Sequence, residues 1–396
     1  MAERLLPDGF QPDGSFPRLA RRLRLGIVGG GRISVVQATA ARMTDRWEIA
    51  AGALSSDPAR SRARGKERFL PEHRCHSSFH GMARLESGYP DGVDAVMITT
   101  PNNMHFEAAR AFLEAGIDVL CDKPLTNDVA EAELLVDLAA RGGRVLAVGY
   151  VMSCFPMIRQ ARRMVAEGEI GRINQVHVEF MQDWMIPEDS GDAPHVRWRL
   201  DPDVSGPTSC VGDIGSHAAH LASFVSGLAM TDLRAEFHVC GTAKPLEDTV
   251  FMFTRYQGEV PGTLLATRLA PGNRGGLRLR VYGSEGGLEW DMEDSERLKF
   301  CRYGEADRII SRGHGHGVCA QVEQLVRTAR GFPEGIIEAW ANLYSEFAMA
   351  VAARRDGMEL PANWLEYPDA RQGADGVRFI DASVRSHRSD GAWVAI

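Results

Sequence analysis

The sequence predicts an α/β protein: a doubly wound parallel sheet in the N-terminal part, then an α+β part built on a mainly antiparallel sheet. Three observations predict it. From Leu23 to about Tyr150, short apolar runs alternate with helical periods. At the head of that region, Leu23–Ser34 (LRLGIVGGGRIS) reads as strand, glycine turn and helix. From Phe237 to Cys301, apolar runs recur at hairpin spacing instead. A chain of 396 residues exceeds one comfortable core. The expected division is an extension at 1–22, a first domain at 23–150 and a second at 151–396.

The parallel sheet is predicted to take its strands, in order, from Leu23–Val28, Glu48–Leu54, Ala95–Thr99, Asp118–Cys121 and Val145–Gly149. Helical periods at Met104–Glu114 and Val129–Ala140 separate the later ones. Ligands of such sheets bind at the carboxyl ends of the strands. That rule alone selects Gly29–Gly31, Ser55–Ser56, Thr100–Asn102 and Asp122–Pro124. Beyond Tyr150 the pattern predicts a helix over Pro156–Glu167, a strand over Ile173–Phe180, a polar loop over Gln182–Ser209 and a helix over Asp213–Val225. Predicted strands follow at Phe237–Cys240, Val250–Tyr256, Gly262–Arg268, Leu277–Tyr282, Leu288–Asp291 and Leu298–Cys301. Helices are predicted to close the chain at Ile336–Arg354 and Ala370–Ser386.

Net charge is −8, with 44% hydrophobic and 25% charged residues. An acidic balance works against non-specific binding to nucleic acid or to anionic membranes, both of which need a basic field. No run approaches the roughly 20 apolar residues of a membrane span. Residues 1–22 carry Pro, Gly and Asp where a secretory signal needs an unbroken apolar core. Seven scattered cysteines with no C-x-x-C pair suit a reducing compartment. The expectation is a soluble cytoplasmic protein.

Strand, glycine turn, helix is the context that the dinucleotide fingerprint G-x-G-x-x-G requires. Gly29 allows the tight turn, and Gly31 lets the backbone approach a pyrophosphate at the helix N-terminus. Arg32 and Ile33 open that helix and join the expected cofactor contacts. Ser34 takes the third glycine's place and is small enough for close helix-on-strand packing. NAD-selective folds set an acid at the end of the second strand; Ser55 holds that place here. NAD is the first expectation. NADP, with its 2′-phosphate on Ser55 and Arg60 or Arg62, is the second. The run Arg60, Arg62, Arg64, Lys66 otherwise reads as a solvated helix face.

Two segments offer chemistry. Cys121-Asp122-Lys123-Pro124 follows a predicted strand, so Lys123 would stand at the carboxyl edge beside the glycine turn. An ammonium there lowers the cost of an alkoxide. In Gly212-Asp213-Ile214-Gly215-Ser216-His217, helical i, i+4 spacing would put Asp213 and His217 on one face. A histidine titrates near neutrality and suits proton abstraction, with a carboxylate to orient it. The competing structural readings are an exposed lysine, an Asp N-cap and a packed core histidine.

The ordered set Gly29-x-Gly31, Thr100-Pro101-Asn102 with His105, Asp122-Lys123-Pro124 and Asp213-x-Gly215-x-His217 resembles the Gfo/Idh/MocA oxidoreductase family. The motifs cover Leu23 to about Leu228. The resemblance implies a Rossmann domain joined to a domain with a large open sheet, and a homodimer or homotetramer. It implies a catalytic set of Lys123, Asp213 and His217, with His217 as base. It places Thr100, Pro101, Asn102, His105 and Lys123 on the cofactor side, with Asp122 where the family more often has Glu.

The expected substrate side is polar and aromatic: Tyr150, Gln182, Trp184, Trp198 and Arg199, with His195 and Asp201 nearby, beside Asp213 and His217. Trp faces stack on sugar C–H faces, and polar groups bond ring hydroxyls. A sugar, inositol or related polyol is the expected substrate; buried tryptophans of the core are the alternative reading. No metal is expected. His73, Cys75, His76 and His80 lack a closing ligand pair, and His314 and His316 lie in a glycine-rich loop. Two other functions keep the same cofactor fold: internal redox on a tightly held NAD(P), and a sugar- or nucleotide-sensing regulator. Retention of both Lys123 and His217 weighs against the regulator.

Overall fold

A computed structural model describes residues 16–186, 194–313, 318–361 and 364–396. The first sheet has six strands, β1 (Leu23–Val28), β2 (Trp47–Ala53), β3 (Cys75–His76), β4 (Ala95–Ile98), β5 (Asp118–Cys121) and β6 (Leu146–Val148). They are parallel throughout, in the order β3-β2-β1-β4-β5-β6. The chain runs outward from β1 in both directions, so the switch point lies between β1 and β4. The crossovers are α1 (Arg32–Met43), α2 (Pro58–Lys66), α3 (Phe79–Glu86), α4 (His105–Glu114) and α5 (Val129–Gly142). Leu23, Leu25 and Ile27 of β1 are fully buried, as a central parallel strand covered on both faces requires.

β3 is a strand that no apolar run announces. Polar bonds hold it: His76 Nε2 lies 3.0 Å from Glu86 Oε1 on α3, and Arg74 pairs with the same buried carboxylate. Within the His73–His80 stretch, Cys75 and His76 thus form an edge strand, and His80 lies in α3.

After α6 (Pro156–Ala166) comes β7 (Ile173–Met181). The polar region then folds into the short helices α7 (Pro194–Arg197) and α8 (Pro202–Ser205), and α9 (Ser216–Ser226) follows. Strands β8 (Met230–His238), β9 (Thr249–Tyr256), β10 (Val260–Thr267), β11 (Gly276–Gly283), β12 (Gly286–Asp291), β13 (Arg297–Arg302) and β14 (Arg308–Ser311) build the second sheet, joined at one edge by β15 (Val394–Ala395). The sheet has nine strands in the order β14-β13-β12-β11-β7-β10-β9-β8-β15. All pairs are antiparallel except β7 with β10, which run parallel. β8 starts at Met230, well before the expected Phe237, because charged residues interrupt its buried Leu233 and Ala235. β14 and β15 are edge strands too short and exposed for a sequence pattern to reveal.

The chain ends with α10 (Ala320–Glu323), α11 (Ile336–Asp356) and α12 (Ala370–Arg388). α11 is buried on nearly all sides and joins the first sheet to the segment after β6. Trp47 Nε1 donates to Tyr344 O at 2.9 Å, and its ring stacks on Phe347 with centroids 5.3 Å apart. On another side of α11, Asn342 Nδ2 donates to Cys154 O at 3.1 Å. Of the N-terminal extension, residues 16–22 are described. Phe16 packs edge-on to Trp364, and Arg46 donates to Pro17 O at 2.8 Å. No helix among the described residues is long and apolar enough to cross a membrane.

Candidate active site

The glycine turn sits at the switch point. Gly29 has φ of +103°, and a β-carbon there would stand 2.7 Å from Thr99 O at the end of β4. Only glycine fits such a position. At Gly31 a β-carbon would meet nothing within 4 Å, so the backbone there faces open space. α1 starts at that point without a side-chain cap, leaving first-turn N–H groups for a ligand. An open approach to uncapped amides fits a dinucleotide pyrophosphate. Ser34 is buried, and its Oγ donates to Gly31 O at 2.6 Å, which secures the turn. Arg32 and Ile33 are exposed beside it. Ser55 follows β2, Thr100-Pro101-Asn102 follows β4, and Asp122-Lys123 follows β5, on the same rim.

His105 departs from its expected role. It is 1% exposed, and its ring nitrogens lie 2.8 Å from Pro124 O and 2.9 Å from Thr100 O. It fixes the loops that carry Thr100 and Lys123 and offers no nitrogen to a cofactor. Asp122 stands in for the longer Glu by bonding inward. It accepts from its neighbour's amide, Lys123 N, at 2.9 Å and from Gln37 Nε2 of α1 at 3.3 Å. Burial raises its carboxyl above the ordinary range, and Lys123 opposes that.

Lys123 and Asp213 meet. Lys123 Nζ donates to the backbone carbonyl of Asp213 and, at 3.1 Å, to its Oδ1. Asp213 caps no helix, which was the competing structural reading. It lies in a π-helical turn, Val211–Gly215, that leads into α9. The wider turn replaces the regular α-helical i, i+4 spacing between Asp213 and His217 that the sequence reading used. Its Oδ2 lies 3.3 Å from Arg199 Nε and 3.6 Å from Arg268 Nη1. Burial alone would push this carboxyl up; Lys123, Arg199 and Arg268 overcome it and hold the group well below the carboxylate range.

His217 is buried, and its Nδ1 has no hydrogen-bond partner among the described residues. Burial, reinforced by the Lys123 charge, lowers its imidazole well below the ordinary value. It is neutral at physiological pH, as a proton acceptor must be. Tyr150 stands edge-on to it, centroids 5.7 Å apart. Tyr150 is fully buried, with its hydroxyl packed against Gly376 of α12, so it is a wall behind His217 and not the substrate contact expected.

Among the residues expected on the substrate side, Trp184 Nε1 donates to Gln182 Oε1 at 2.7 Å. Arg199 lies over the Trp198 ring at 4.3 Å and faces Trp184 at 5.6 Å. Each indole thus gives one face to a guanidinium, a use the sugar-stacking expectation did not include. The side chain of His195, and residues His314 and His316, lie outside the described residues. Among the described residues no group of three or more His, Cys, Asp or Glu is placed to hold a metal.

Arg268 and Glu247 are site residues the sequence analysis missed. Arg268 is fully buried between Ser209 and Asp213. Glu247 accepts from Ser209 N and Val211 N at 3.0 and 2.9 Å, anchoring the entry to the π turn. The available signal was a charged residue ending an apolar strand, at Arg268.

His220, one turn beyond His217, stacks on Tyr150 with rings 4.4 Å apart and 5° from parallel. Burial pushes its imidazole down to about 4, with its Gln372 bond opposing. The unfolded chain binds this proton below about 6.5, where the folded one excludes it, so stability present above that pH is lost as pH falls towards about 4. Discounted for partial exposure, the loss is about 2 kcal/mol. Thermal melts from about pH 7 to about 4.5 are expected to show a smaller decline in His220→Phe than in the parent.

A doubly wound sheet with an open glycine turn at its switch point defines a dinucleotide-binding protein. Two family models match this chain: the oxidoreductase family Gfo/Idh/MocA, NAD-binding Rossmann fold, over residues 23–150, and the Gfo/Idh/MocA C-terminal domain over residues 158–289. The uncharacterized oxidoreductase YfiI of Bacillus subtilis is 31% identical over 389 residues, covering 95% of this chain and 97% of that one. The crystal structure of an inositol dehydrogenase homologue from Azotobacter vinelandii complexed with NAD+ is 34% identical with a TM-score of 0.91, covering 97% of this chain and 99% of that one. An inositol dehydrogenase homologue from the same organism complexed with NADH and myo-inositol is 33% identical with a TM-score of 0.88, covering 97% and 100%. The chain belongs to the Gfo/Idh/MocA oxidoreductase family and carries its NAD-binding domain.

Proposed function

We propose that this protein moves a hydride between a hydroxyl-bearing carbon of a sugar, inositol or related polyol and a nicotinamide cofactor. The observation that carries the reading is the meeting of Lys123 with Asp213, one turn ahead of the neutral His217, at the strand edge that holds the glycine turn. NAD(P), held by Gly29, Gly31 and the strand-end loops, supplies the hydride acceptor.

His217 takes the hydroxyl proton, its lowered basicity leaving it unprotonated and ready. An ammonium has three N–H donors. Two of Lys123's face Asp213, and the third donates to the reacting oxygen as it gains alkoxide character. Asp213 positions Lys123. Gln182, Trp184, Trp198 and Arg199 orient the polyol. Phe251 and Phe253 are exposed on the outer face of the second sheet, which supports pairing of two such faces in a homodimer or homotetramer.

Purified protein offered inositols, pyranoses and anhydrosugars with NAD or NADP is expected to generate reduced-nicotinamide absorbance with at least one of them. His217→Ala is expected to cut turnover by about a hundredfold. Full activity in that variant removes His217 as the base. Product formed without net absorbance change, on cofactor that survives gel filtration, would replace net oxidation by internal redox.

A further inference from the structure

β2 ends at Ala53, and the residues after it border the ribose side of the dinucleotide cleft. Folds that select NAD place a carboxylate there; it accepts from the ribose 2′-hydroxyl and repels a 2′-phosphate. Here the place falls to Ser55. The nearest acid along the chain, Asp57, caps α2 and accepts from Arg60 N at 2.7 Å.

A cation occupies the region instead. Arg64 folds back from α2, and its Nη1 donates to Leu54 O at 2.8 Å. A β-carbon on Gly30 would collide with that same nitrogen and with the Leu54 carbonyl. The guanidinium therefore rests between the middle of the glycine turn and the end of β2. Arg64 is half-buried. Among the described residues no carboxylate lies within ion-pair distance of it, and the Leu54 carbonyl is its one side-chain hydrogen-bond partner. Its neighbours differ: Arg62 has Glu72 at 3.6 Å and Arg68 has Glu67 at 3.7 Å. Arg68 adds a second guanidinium close by, 3.4 Å from Ser34 Oγ, with a buried and unpartnered Nε. A half-buried cation without a counter-charge is costly, and an anion seated beside it relieves that cost.

We propose that Arg64, with the Ser55 hydroxyl, forms a subsite for the 2′-phosphate of NADP(H), so that the protein binds NADPH at least as tightly as NADH; this rests on the dinucleotide reading of the cleft. The subsite lies further along α2 than Arg60 and Arg62, where the sequence alone pointed.

Titrating NADH and NADPH into the purified, cofactor-free protein tests it, read by calorimetry or by fluorescence of the bound reduced nicotinamide. NADPH is expected to show a Kd no larger than that of NADH. Arg64→Ala is expected to lower the NADPH-over-NADH affinity ratio by about tenfold or more, as loss of a charge-assisted contact implies, and Arg64→Lys to keep part of it. Should Arg64→Ala fail to fold, Ser55→Glu, which restores an acid at the strand end, is expected to turn the ratio towards NADH. The proposal is overturned if NADH binds and NADPH does not. It is equally overturned if Arg64→Ala weakens both cofactors in proportion, or if the loss of preference follows Arg60→Ala instead. Failure of both cofactors to bind brings down the cleft reading itself, and the NADH titration tells that case apart.

Discussion

Replacing Lys123 with methionine is expected to lower kcat for polyol oxidation by about 10²–10³-fold, with a much smaller change in KM. Methionine keeps most of the stem and removes the ammonium. In the proposed mechanism that ammonium faces charge that develops only as the hydroxyl loses its proton, so the expected loss falls on the transition state and not on binding. Asp213 does not account for it. With Lys123 gone, Arg199 and Arg268 remain near its Oδ2, and the carboxyl stays ionised at neutral pH. A second readout separates a chemical role from a structural one. Burial lowers the His217 imidazole first, and the Lys123 charge lowers it further. Removing that charge raises the His217 pKa, so the acid limb of the kcat/KM profile moves to higher pH in Lys123→Met. A variant within a few-fold of the parent, with its acid limb unmoved, would take Lys123 out of the reaction.

What the sequence made legible follows from where dinucleotide sheets bind. The rule of strand ends depends only on locating apolar runs and their turns, and it reached Gly29, Gly31, Thr100 and Lys123 directly. Side-chain direction was less accessible. His105, from a motif, and Tyr150, from the expected substrate side, point inward, one clamped between two carbonyls and the other packed on Gly376. The π turn at Val211–Gly215 leaves no distinct periodicity, so Asp213 read as the first residue of a regular helix. Arg268 was hidden by topology. Hairpin-spaced strands read as antiparallel, whereas β7 and β10 pair in parallel and set Thr267 opposite Met181. That register brings Arg268 beside the Gln182 end of β7, a juxtaposition that depends on a crossover spanning residues 182–259. β3 was missed for another reason: its cohesion is the buried Arg74–Glu86–His76 group, which no hydrophobic pattern encodes.

The largest expected effect on stability comes from α11, where Glu346→Ala is expected to destabilise the fold by about 3–5 kcal/mol. Arg159 of α6 and Glu346 are 2% and 1% exposed. They meet through two parallel bonds, Nη1 to Oε1 at 3.1 Å and Nη2 to Oε2 at 2.8 Å. Glu366 adds a contact at 3.1 Å, and Arg159 Nε donates to Ser153 O at 2.6 Å. Burial would lower the Arg159 pKa, but Glu346 and Glu366 raise it above its ordinary value, so the guanidinium is charged at every accessible pH. Deleting Glu346 leaves that charge in the interior with Glu366 alone. The helix involved also carries the Tyr344 carbonyl that accepts from Trp47, so the hold of α11 on the first sheet is weakened at the same step. Urea unfolding of Glu346→Ala is expected to show a lower midpoint. The double variant Arg159→Met/Glu346→Leu, which removes both charges and keeps the volume, is expected to recover most of the loss, because the single deletion costs mainly the orphaned charge and not the absent bond. If Glu346→Ala unfolds within about 1 kcal/mol of the parent, comparable to a surface pair, the ion pair is not what holds α11 to α6.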